Sequence, residues 1–395
     1  MKKVLIMLSS MNIGGVEKSL LSLLSVFPKE HYEITILLLE KKGGFLNHLP
    51  NWVKVEEVDW YTSIKPIIME PPQVTVKAYY HNRNYLKLLF FLSSYFIDKK
   101  FNQRYLYYKN TFRNVPNHKD YYDIAISYQG PTDIIDFYIT NKVKAEKKIS
   151  WVHFDISKHQ INGKLYKKLF KEFNKIYVVS KEAKNQLTKK FPSYKSKTST
   201  FLNITSTQLI REMSKKTGYL DESFSGIKIV TVGRLSKEKG QDIAIPVLAR
   251  LRKNGYNVRW YCIGEGNNRK ELEELINQYK VKHDFILCGS TTNPYPQISK
   301  ADIYVQPSRH DGYCLALTEA KILNKPIVAT NFVGAIEQIV NGETGELAEC
   351  NEEEIYAKIK YLIDHQNIRE KLSDNLSKQH VDTENEVEKL IAYFN

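Results

Sequence analysis

Short apolar runs alternate along the chain with amphipathic segments, and glycine-containing turns lie between them. Lys3 to Ser9 is a compact apolar run typical of a buried parallel strand, and the turn Asn12-Ile13-Gly14-Gly15 follows it. A helical pattern then begins at Glu17 and ends at Pro28, and Glu33 to Leu39 predicts the next strand. A strand, a glycine turn, a helix and a strand form a βαβ unit by default.

Alternation continues through the first half after an interruption at 61–119. The pattern predicts a helix from Lys181 to Phe191, which Ser180 is placed to cap. The predicted strands here are Tyr122 to Tyr128, Lys148 to His153, Lys175 to Ser180 and Phe201 to Ile204.

The second half repeats this order of elements. Its predicted strands are Ile227 to Val232, Val258 to Ile263, Phe285 to Cys288 and Ala301 to Val305. Its predicted helices are Gln241 to Lys253, Arg269 to Tyr279, Ile355 to Leu376 and Glu384 to Phe394. Both halves are therefore predicted as α/β domains with parallel sheets, facing each other across a cleft. A chain of 395 residues also exceeds what one core usually serves.

The segment from Thr205 to Gly226 is polar and shows no clear period, so we place the domain boundary there. The predicted organisation is a first domain over 1–205, a linker over 206–226, a second domain over 227–376 and a closing helix over 377–395. Ligands of such sheets bind at the carboxyl ends of the strands.

The stretch from Ser308 to Thr330 combines a loop, a helix and a strand. The turn Asp311-Gly312 lets backbone approach a ligand at the start of the helix, which suits an anion or a sugar. Glu319 lies about two helical turns further on. Taken alone, Glu319 fits equally an ordinary amphipathic helix with a solvated carboxylate.

Two cations, Arg234 and Lys239, follow a predicted strand and precede a predicted helix. Together with the helix dipole they would form a diphosphate site, although two solvated loop charges would look the same in sequence. His153 at the end of another strand could face the cleft or be structural. No P-loop, no Asp-x-Asp pair and no His/Cys cluster is present, so the sequence predicts no metal and no P-loop chemistry.

The formal net charge of +14 indicates an anionic partner: nucleic acid, an acidic membrane surface or a phosphate-bearing substrate. Four cysteines without a C-x-x-C spacing favour free thiols in a reducing cytosol. The start of the chain predicts a strand and not a signal peptide, and no run of 18 apolar residues predicts a membrane span.

Residues 61–119 combine ten basic and two acidic residues with many aromatic and aliphatic ones. That composition is typical of an element at a membrane surface. A pair of core helices with solvated lysine faces would have the same composition, and both interpretations stay open here. A nucleic-acid partner is disfavoured, because no DNA- or RNA-binding motif accompanies the charge.

Taken together, the motifs resemble the family 4 retaining glycosyltransferases of the GT-B fold, of the bacterial surface-polysaccharide and teichoic acid type. The matches, in family order, are IGGVEKSLLSLL, SWVHFD, YVVSKEAK, VGRLSKEKG, CIGEG, ADIYVQPSRHDGYCLALTEA, KPIVAT and VNGETGEL. Residues 61–119 lie outside the matches, as an acceptor-specific region would.

The resemblance implies a role for each matching position. Arg234 and Lys239 would bind the donor diphosphate, and Glu319 would hold the ribose hydroxyls. Asp311 would contact the donor sugar in place of the family's Glu. The backbone amides of Gly312, Tyr313, Cys314 and Leu315 would meet sugar and phosphate, Gly15 would lie beside the phosphates, and His153 near the transferred sugar. Cys314 stands where the family has Gly.

The expected activity is metal-independent transfer, with retention, of a hexose or N-acetylhexosamine from a nucleotide-diphosphate sugar, with UDP as the expected nucleotide. The expected acceptor is lipid-linked or polymeric, and the expected place is the cytoplasm or the inner face of the cell membrane. Two alternatives remain: a nucleotide-sugar epimerase of the same fold, and a non-catalytic carbohydrate-binding protein.

Overall fold

Two parallel sheets organise the computed structural model, which describes residues 1–153, 156, 161–218, 220–379 and 383–394. The chain divides into two compact units. The first unit comprises Met1–Asn12, Phe27–Phe201 and Tyr393–Asn395, and the second comprises Ile13–Val26 and Leu202–Ala392. The boundaries of the predicted domains stay a prediction.

The elements up to residue 200 are given in chain order: β1 Lys2–Leu8, α1 Gly15–Ser25, β2 Tyr32–Leu38, β3 Lys54–Glu57, α2 Tyr61–Met69, α3 Pro72–His81, α4 Tyr85–Phe101, α5 Arg104–Thr111, β4 Tyr121–Gly130, α6 Asp133–Lys142, β5 Lys144–Val152, α7 Gly163–Glu172, β6 Lys175–Val178, α8 Lys181–Lys190 and β7 Thr198–Thr200. The strands form one parallel sheet in the order β3-β2-β1-β4-β5-β6-β7.

The remaining elements are α9 Thr207–Ser214, β8 Ile227–Val232, α10 Gln241–Lys253, β9 Val258–Ile263, α11 Arg269–Gln278, β10 Phe285–Gly289, α12 Tyr295–Lys300, β11 Ile303–Gln306, α13 Leu315–Ile322, β12 Ile327–Thr330, α14 Val333–Gln338, β13 Glu346–Ala348, α15 Glu352–Asp364, α16 Gln366–Ser377 and α17 Glu386–Phe394. The second parallel sheet has the order β10-β9-β8-β11-β12-β13.

Both sheets follow the doubly wound order in which the first strand lies between the second and the fourth. Each therefore has a switch point, β1 beside β4 in the first sheet and β8 beside β11 in the second. The two α/β domains with parallel sheets that the sequence predicts are confirmed.

β9, β11 and β12 of the second sheet are almost entirely buried on both faces, as expected of strands inside a parallel sheet. Ile229 and Trp260 belong to one apolar cluster, whereas their neighbours Val230 and Tyr261 belong to another. Because successive side chains of a strand point to opposite faces, these clusters cover the two faces of the sheet.

Residues 61–119 form the helices α2 to α5 and the turn that follows them. One side of this group packs on the core of the first unit through Phe91, Tyr107, Tyr108 and Phe112. In the described part of the chain, no helix has both the length and the apolar character needed to cross a bilayer.

Several predicted elements were wrong in detail. The strand expected at Phe201 to Ile204 is irregular backbone, and the last strand of the first sheet is instead Thr198–Thr200. The segment expected to be without pattern contains α9, whose N-cap Ser206 accepts a hydrogen bond from the Leu209 amide. The helix expected from Ile355 to Leu376 is two helices, α15 and α16.

Candidate functional site

The switch point of the second sheet brings together the loops that follow β8 and β11. The loop after β8 carries Arg234 and Lys239, and the loop after β11 carries Asp311 and leads into α13. The backbone amides of Arg309 and His310 donate to the Glu238 carbonyl at 2.7 and 3.3 Å. The two loops are therefore joined by main-chain hydrogen bonds at the place where ligands of such sheets bind.

Side chains reinforce this junction. The Arg309 guanidinium binds both carboxylate oxygens of Asp242, at 2.7 and 2.8 Å, which ties the second loop to helix α10. Gly240, the N-cap of α10, has a φ of +72°, and a Cβ there would lie 1.9 Å from the Pro307 carbonyl oxygen. A side chain at this position would clash with that carbonyl, so only glycine lets the first loop pass this close to the second.

Lys239 and Asp311 form an ion pair across the junction. Burial lowers the pKa of the Lys239 ammonium, but the Asp311 carboxylate outweighs burial and holds that pKa above its usual value. Arg234 is exposed, and among the described residues its guanidinium has no ion-pair partner within 4.0 Å. One cation is thus held in place by a carboxylate, and the other is open to an anion from outside.

Asp311 also shapes the start of α13. Its Oδ1 accepts from the Cys314 amide at 3.1 Å, and its carbonyl accepts from the Gly334 amide at 3.3 Å. The Tyr313 carbonyl accepts from the Gln338 side chain. Gly312, Tyr313 and Cys314 are buried, so these contacts fix the backbone just ahead of the first turn of the helix.

Cys314 is the N-cap of α13 and has a φ of +64°. That left-handed conformation costs a residue with a Cβ about 1–2 kcal/mol, whereas glycine adopts it freely. The structure therefore explains the glycine expected here from the family resemblance. Burial raises the pKa of the Cys314 thiol well above its usual range, so the thiol is neutral.

Glu319, in the second turn of α13, is buried and not solvated. Its Oε1 lies 2.5 Å from Lys18 Nζ and accepts from Tyr295 Oη at 3.4 Å. The Lys18 ammonium also lies over the Tyr295 ring, 4.4 Å from its centroid. Burial lowers the pKa of Lys18, but the Glu319 carboxylate outweighs burial and the pKa lies above its usual range.

Lys18 and Tyr295 were missed in the sequence. Lys18 stands in the quoted IGGVEKSLLSLL motif, four residues after Gly14, but nothing in the apolar pattern indicates that it is half-buried beside Glu319. A cavity in the second unit is lined by residues of four segments, among them Lys18, Ser22, Thr205, Tyr295, Leu315 and Glu319. Leu315 and Glu319, both predicted to bind a donor, share this cavity.

Gly15 is the first residue of α1 and belongs to the second unit. A Cβ on Gly15 would meet nothing within 4 Å, so the described structure gives no steric reason for glycine at this position. The neighbouring Glu17 is buried, and burial raises its pKa to about 7, against the opposing effects of its own amide and Arg234. Glu17 is thus a buried carboxyl group near the site, in addition to Glu319, and was not predicted from the sequence.

His153 lies in the first unit, just after β5. Its amide donates to the Gly130 carbonyl at 3.2 Å, and its ring lies parallel to Trp151 with centroids 6.2 Å apart. Burial lowers its pKa to about 3, against a hydrogen bond to the Tyr128 backbone. Nε2 is buried and has no hydrogen-bond partner among the described residues, so a neutral imidazole offers an acceptor there. Phe154 and Asp155 of the SWVHFD motif lie outside the described residues.

The site therefore unites nine of the ten predicted residues in the second unit: Gly15, Arg234, Lys239, Asp311, Gly312, Tyr313, Cys314, Leu315 and Glu319. His153 belongs to the first unit. Within the described ranges, no three or more His, Cys, Asp or Glu side chains are grouped as metal ligands would be. The roles of these residues stay predictions.

Residues 222–379 match the model of a family described as glycosyl transferases group 1. The capsular polysaccharide biosynthesis glycosyltransferase CapM of Staphylococcus aureus is 30% identical over 146 residues, which are 36% of this chain and 38% of CapM. A Campylobacter jejuni protein is 29% identical over 143 residues, again 36% of this chain and 38% of that protein. It is named N-acetylgalactosamine-N,N'-diacetylbacillosaminyl-diphospho-undecaprenol 4-alpha-N-acetylgalactosaminyltransferase. The chain thus spans less than half of each of these curated relatives.

The crystal structure of Alr3699/HepE from Anabaena, in complex with UDP-glucose, superposes with a TM-score of 0.71. The match covers 100% of this chain and 99% of that one, at 15% sequence identity. At that identity the likeness establishes the fold alone. The expected fold, two Rossmann-like parallel-sheet domains of the GT-B type, is confirmed, and so is the resemblance on which it was based.

Proposed function

Because residues 222–379 match the model of the glycosyl transferases group 1, we propose that the chain is a retaining glycosyltransferase. It moves a hexose or an N-acetylhexosamine from a UDP-sugar without a metal ion. The observation that carries the proposal is the junction after β8 and β11, where Arg234, the Lys239–Asp311 pair and the start of α13 meet.

The chemistry proposed for this junction is stabilisation of the leaving group. Cleavage of the bond from sugar to phosphate builds negative charge on the departing diphosphate. Cations and helix amides that are fixed beforehand stabilise that charge without reorganising during the reaction. Arg234 is proposed to meet the diphosphate directly, because no carboxylate of the described residues occupies its guanidinium. Lys239, held by Asp311, contributes the second cation.

The remaining predicted residues are proposed to place the donor. Glu319 would hold the ribose hydroxyls, Asp311 and the backbone of Gly312 to Leu315 would meet the sugar, and Gly15 would lie beside the phosphates. His153, whose Nε2 has no hydrogen-bond partner among the described residues, would accept a hydrogen bond from a hydroxyl of the transferred sugar. Asp311 already binds Lys239 and the Cys314 amide, so its sugar contact would be added to a structural role.

The proposed acceptor is a lipid-linked or polymeric glycan in surface polysaccharide or teichoic acid synthesis, reached at the cytoplasmic face of the cell membrane. The name of the Campylobacter relative, which specifies a diphospho-undecaprenol substrate, supports the lipid-linked form. Nucleic acid is not proposed as a partner.

The test is a turnover assay of the purified chain in EDTA, with a panel of UDP-sugars and a polyprenyl-diphosphate-linked sugar acceptor. The proposal predicts an acceptor whose mass rises by one sugar and whose new anomeric centre keeps the donor's configuration by NMR. The double variant Arg234→Ala/Lys239→Ala should be inactive, while Lys237→Ala in the same loop should keep its turnover.

Two outcomes favour the alternatives. Conversion of UDP-N-acetylglucosamine without any acceptor would identify an epimerase. Binding of a sugar without turnover of any donor would identify a carbohydrate-binding protein. A product with inverted configuration, or activity that needs a divalent metal, would contradict the mechanism.

A further inference from the structure

Helix α4 exposes a row of large apolar side chains. Tyr85, Leu89, Leu92 and Phe96 are 56%, 64%, 44% and 60% exposed. Spacings of four, three and four residues place all four on one face of the helix. Exposed single apolar residues are ordinary on protein surfaces, but a row of four on one helix is not.

The opposite face of α4, which packs on the first unit, is partly polar. Its buried residues are Phe91, Ser94 and Asp98. Asp98 pairs with Arg104 at 3.0 Å, and Ser94 Oγ accepts from the Asn110 side chain at 3.0 Å. The helix thus buries polar groups with dedicated partners while it exposes apolar ones. In an ordinary amphipathic helix the apolar face packs on the core and the polar face meets water, and α4 departs from that arrangement on both faces.

Basic side chains flank the exposed row. Lys99 and Lys100 are exposed in the last turn of α4, and their ammonium groups lie over the rings of Tyr95, Phe96 and Phe101 at 5.6 to 5.8 Å. Arg83 and Lys87 are exposed at the other end. Apolar groups ringed by cations suit a surface with an apolar interior and anionic headgroups.

The same charges disfavour a second copy of the chain as the occupant. A two-fold interface pairs a patch with itself, so it would bring these cations together. Residues 61–119 hold only two carboxylates, Glu70 and Asp98, and Asp98 is already buried and paired. In a self-contact along α4, the one carboxylate of the helix, Asp98, would already be paired and could not offset the cations.

We propose that the surface formed by Tyr85, Leu89, Leu92, Phe96, Lys99 and Lys100, the α4 surface, docks the protein on a lipid bilayer with anionic headgroups. The helix lies in the plane of the interface, with the apolar row among the acyl chains and the ammonium groups among the phosphates. This inference does not depend on the proposed transferase activity, because lipid binding is measured without turnover.

The experiment is co-sedimentation of the full chain with vesicles of phosphatidylglycerol and phosphatidylcholine, or of phosphatidylcholine alone, across a lipid titration. Wild type should bind the anionic vesicles and be released by salt. Leu89→Asp/Phe96→Asp should lower the partition coefficient at least tenfold, since it removes apolar anchors and adds negative charge. Its matched control is Tyr279→Asp/Tyr361→Asp, which adds the same charge at two exposed aromatic residues of the second unit and should bind as wild type does.

A second pair of variants distinguishes the charge of the α4 surface from the net charge of the protein. Lys99→Glu/Lys100→Glu should bind at least tenfold more weakly, because each basic group near the surface contributes about fivefold. Lys189→Glu/Lys190→Glu at the end of α8 makes the same change in net charge and should bind nearly as wild type does. Circular dichroism of each variant checks that the fold is intact.

Three outcomes would overturn the proposal. Equal binding to both vesicle types would remove its electrostatic part. Equal weakening by the two lysine pairs, with Leu89→Asp/Phe96→Asp unaffected, would indicate general attraction of polyanions. A dimer in light scattering that Leu89→Asp/Phe96→Asp dissociates, without vesicle binding by wild type, would assign the face to a second copy.

Discussion

Helix α13 in the second unit buries charged side chains, whereas helix α4 in the first unit exposes apolar ones. In α13, Glu319 is only 3% exposed and pairs with Lys18, and the Lys321 ammonium donates to the Gln338 carbonyl at 2.7 Å. In α4, Leu89 and Phe96 are among the most exposed apolar residues of the chain. An ordinary amphipathic helix buries apolar side chains and exposes charged ones. Helix α13 departs from this by burying charges, and α4 departs from it by exposing apolar groups.

Buried charges and exposed apolar groups indicate two different kinds of ligand. Buried charges are costly unless each has a partner, so a partnered cluster such as that at Glu319 indicates a preformed polar site. Exposed apolar groups contribute little to folding, so a row of them indicates a binding partner whose surface buries them.

The two faces of α4 should differ sharply in their contribution to stability. Phe91→Ala should lower the free energy of unfolding by about 3–5 kcal/mol, because Phe91 is buried against Tyr79, Tyr95 and Tyr107. Phe96→Ala, the same change on the exposed face, should lower it by no more than about 0.5 kcal/mol. Urea unfolding of both variants measures the difference. A comparable loss in Phe96→Ala would mean that the exposed row serves the fold and not a partner.

Removing the cation beside Glu319 should be costly. Lys18→Met leaves the Glu319 carboxylate buried without its ion-pair partner, which should lower the free energy of unfolding by about 3 kcal/mol at pH 7. Lys29→Met, an exposed lysine beyond the end of α1, is the control and should stay within about 0.5 kcal/mol of wild type. If Lys18→Met unfolded at the urea concentration of wild type, the pair would not be part of a preformed site.

The two cations of the β8 loop should govern turnover, and the exposed Arg234 should do so without affecting folding. Arg234→Ala or Lys239→Ala should lower kcat about a hundredfold, since fixed cations act on the charge that develops in the transition state. Lys237→Ala, in the same turn and exposed, should leave kcat unchanged. Equal losses in all three variants would show that the loop contributes only general positive charge.

The smallest expected effect concerns the backbone before α13. Cys314→Gly relieves the left-handed conformation, and Cys314→Val worsens it, so the Gly variant should be more stable than the Val variant by about 1–2 kcal/mol. Urea unfolding of the pair, at equal protein concentration, measures this difference. A more stable Val variant would mean that packing of the buried side chain outweighs the strain.

The central strands and the edge strand β10 were predictable from the sequence, whereas the edge strands β3, β7 and β13 were not. β1 is buried on both faces from Val4 to Leu8, so its apolar run is unbroken there. β3, β7 and β13 lie at sheet edges and carry charged or polar residues, which remove the pattern. Charged and polar residues at a sheet edge prevent pairing with other chains. The same residues remove the apolar pattern by which a strand is predicted from sequence.

The candidate site shows a similar limit. Arg234, Lys239, Asp311 and Glu319 were predicted because they stand in motifs at strand ends, and the fold brings them into one unit. Lys18 and Tyr295 were missed, because the burial of a charged or hydroxyl group depends on a partner far along the chain. No local pattern records that partner.

The most direct test of the account is calorimetric titration of UDP into wild type and Glu319→Ala in the presence of EDTA. A hydrogen bond to a charged group contributes roughly 1.5–3 kcal/mol, so Glu319→Ala should bind UDP about ten- to a hundredfold more weakly. Glu343→Ala, an exposed carboxylate of the second unit, should bind UDP as wild type does. UDP affinity unchanged in Glu319→Ala would contradict the assignment of the α13 site to the nucleotide.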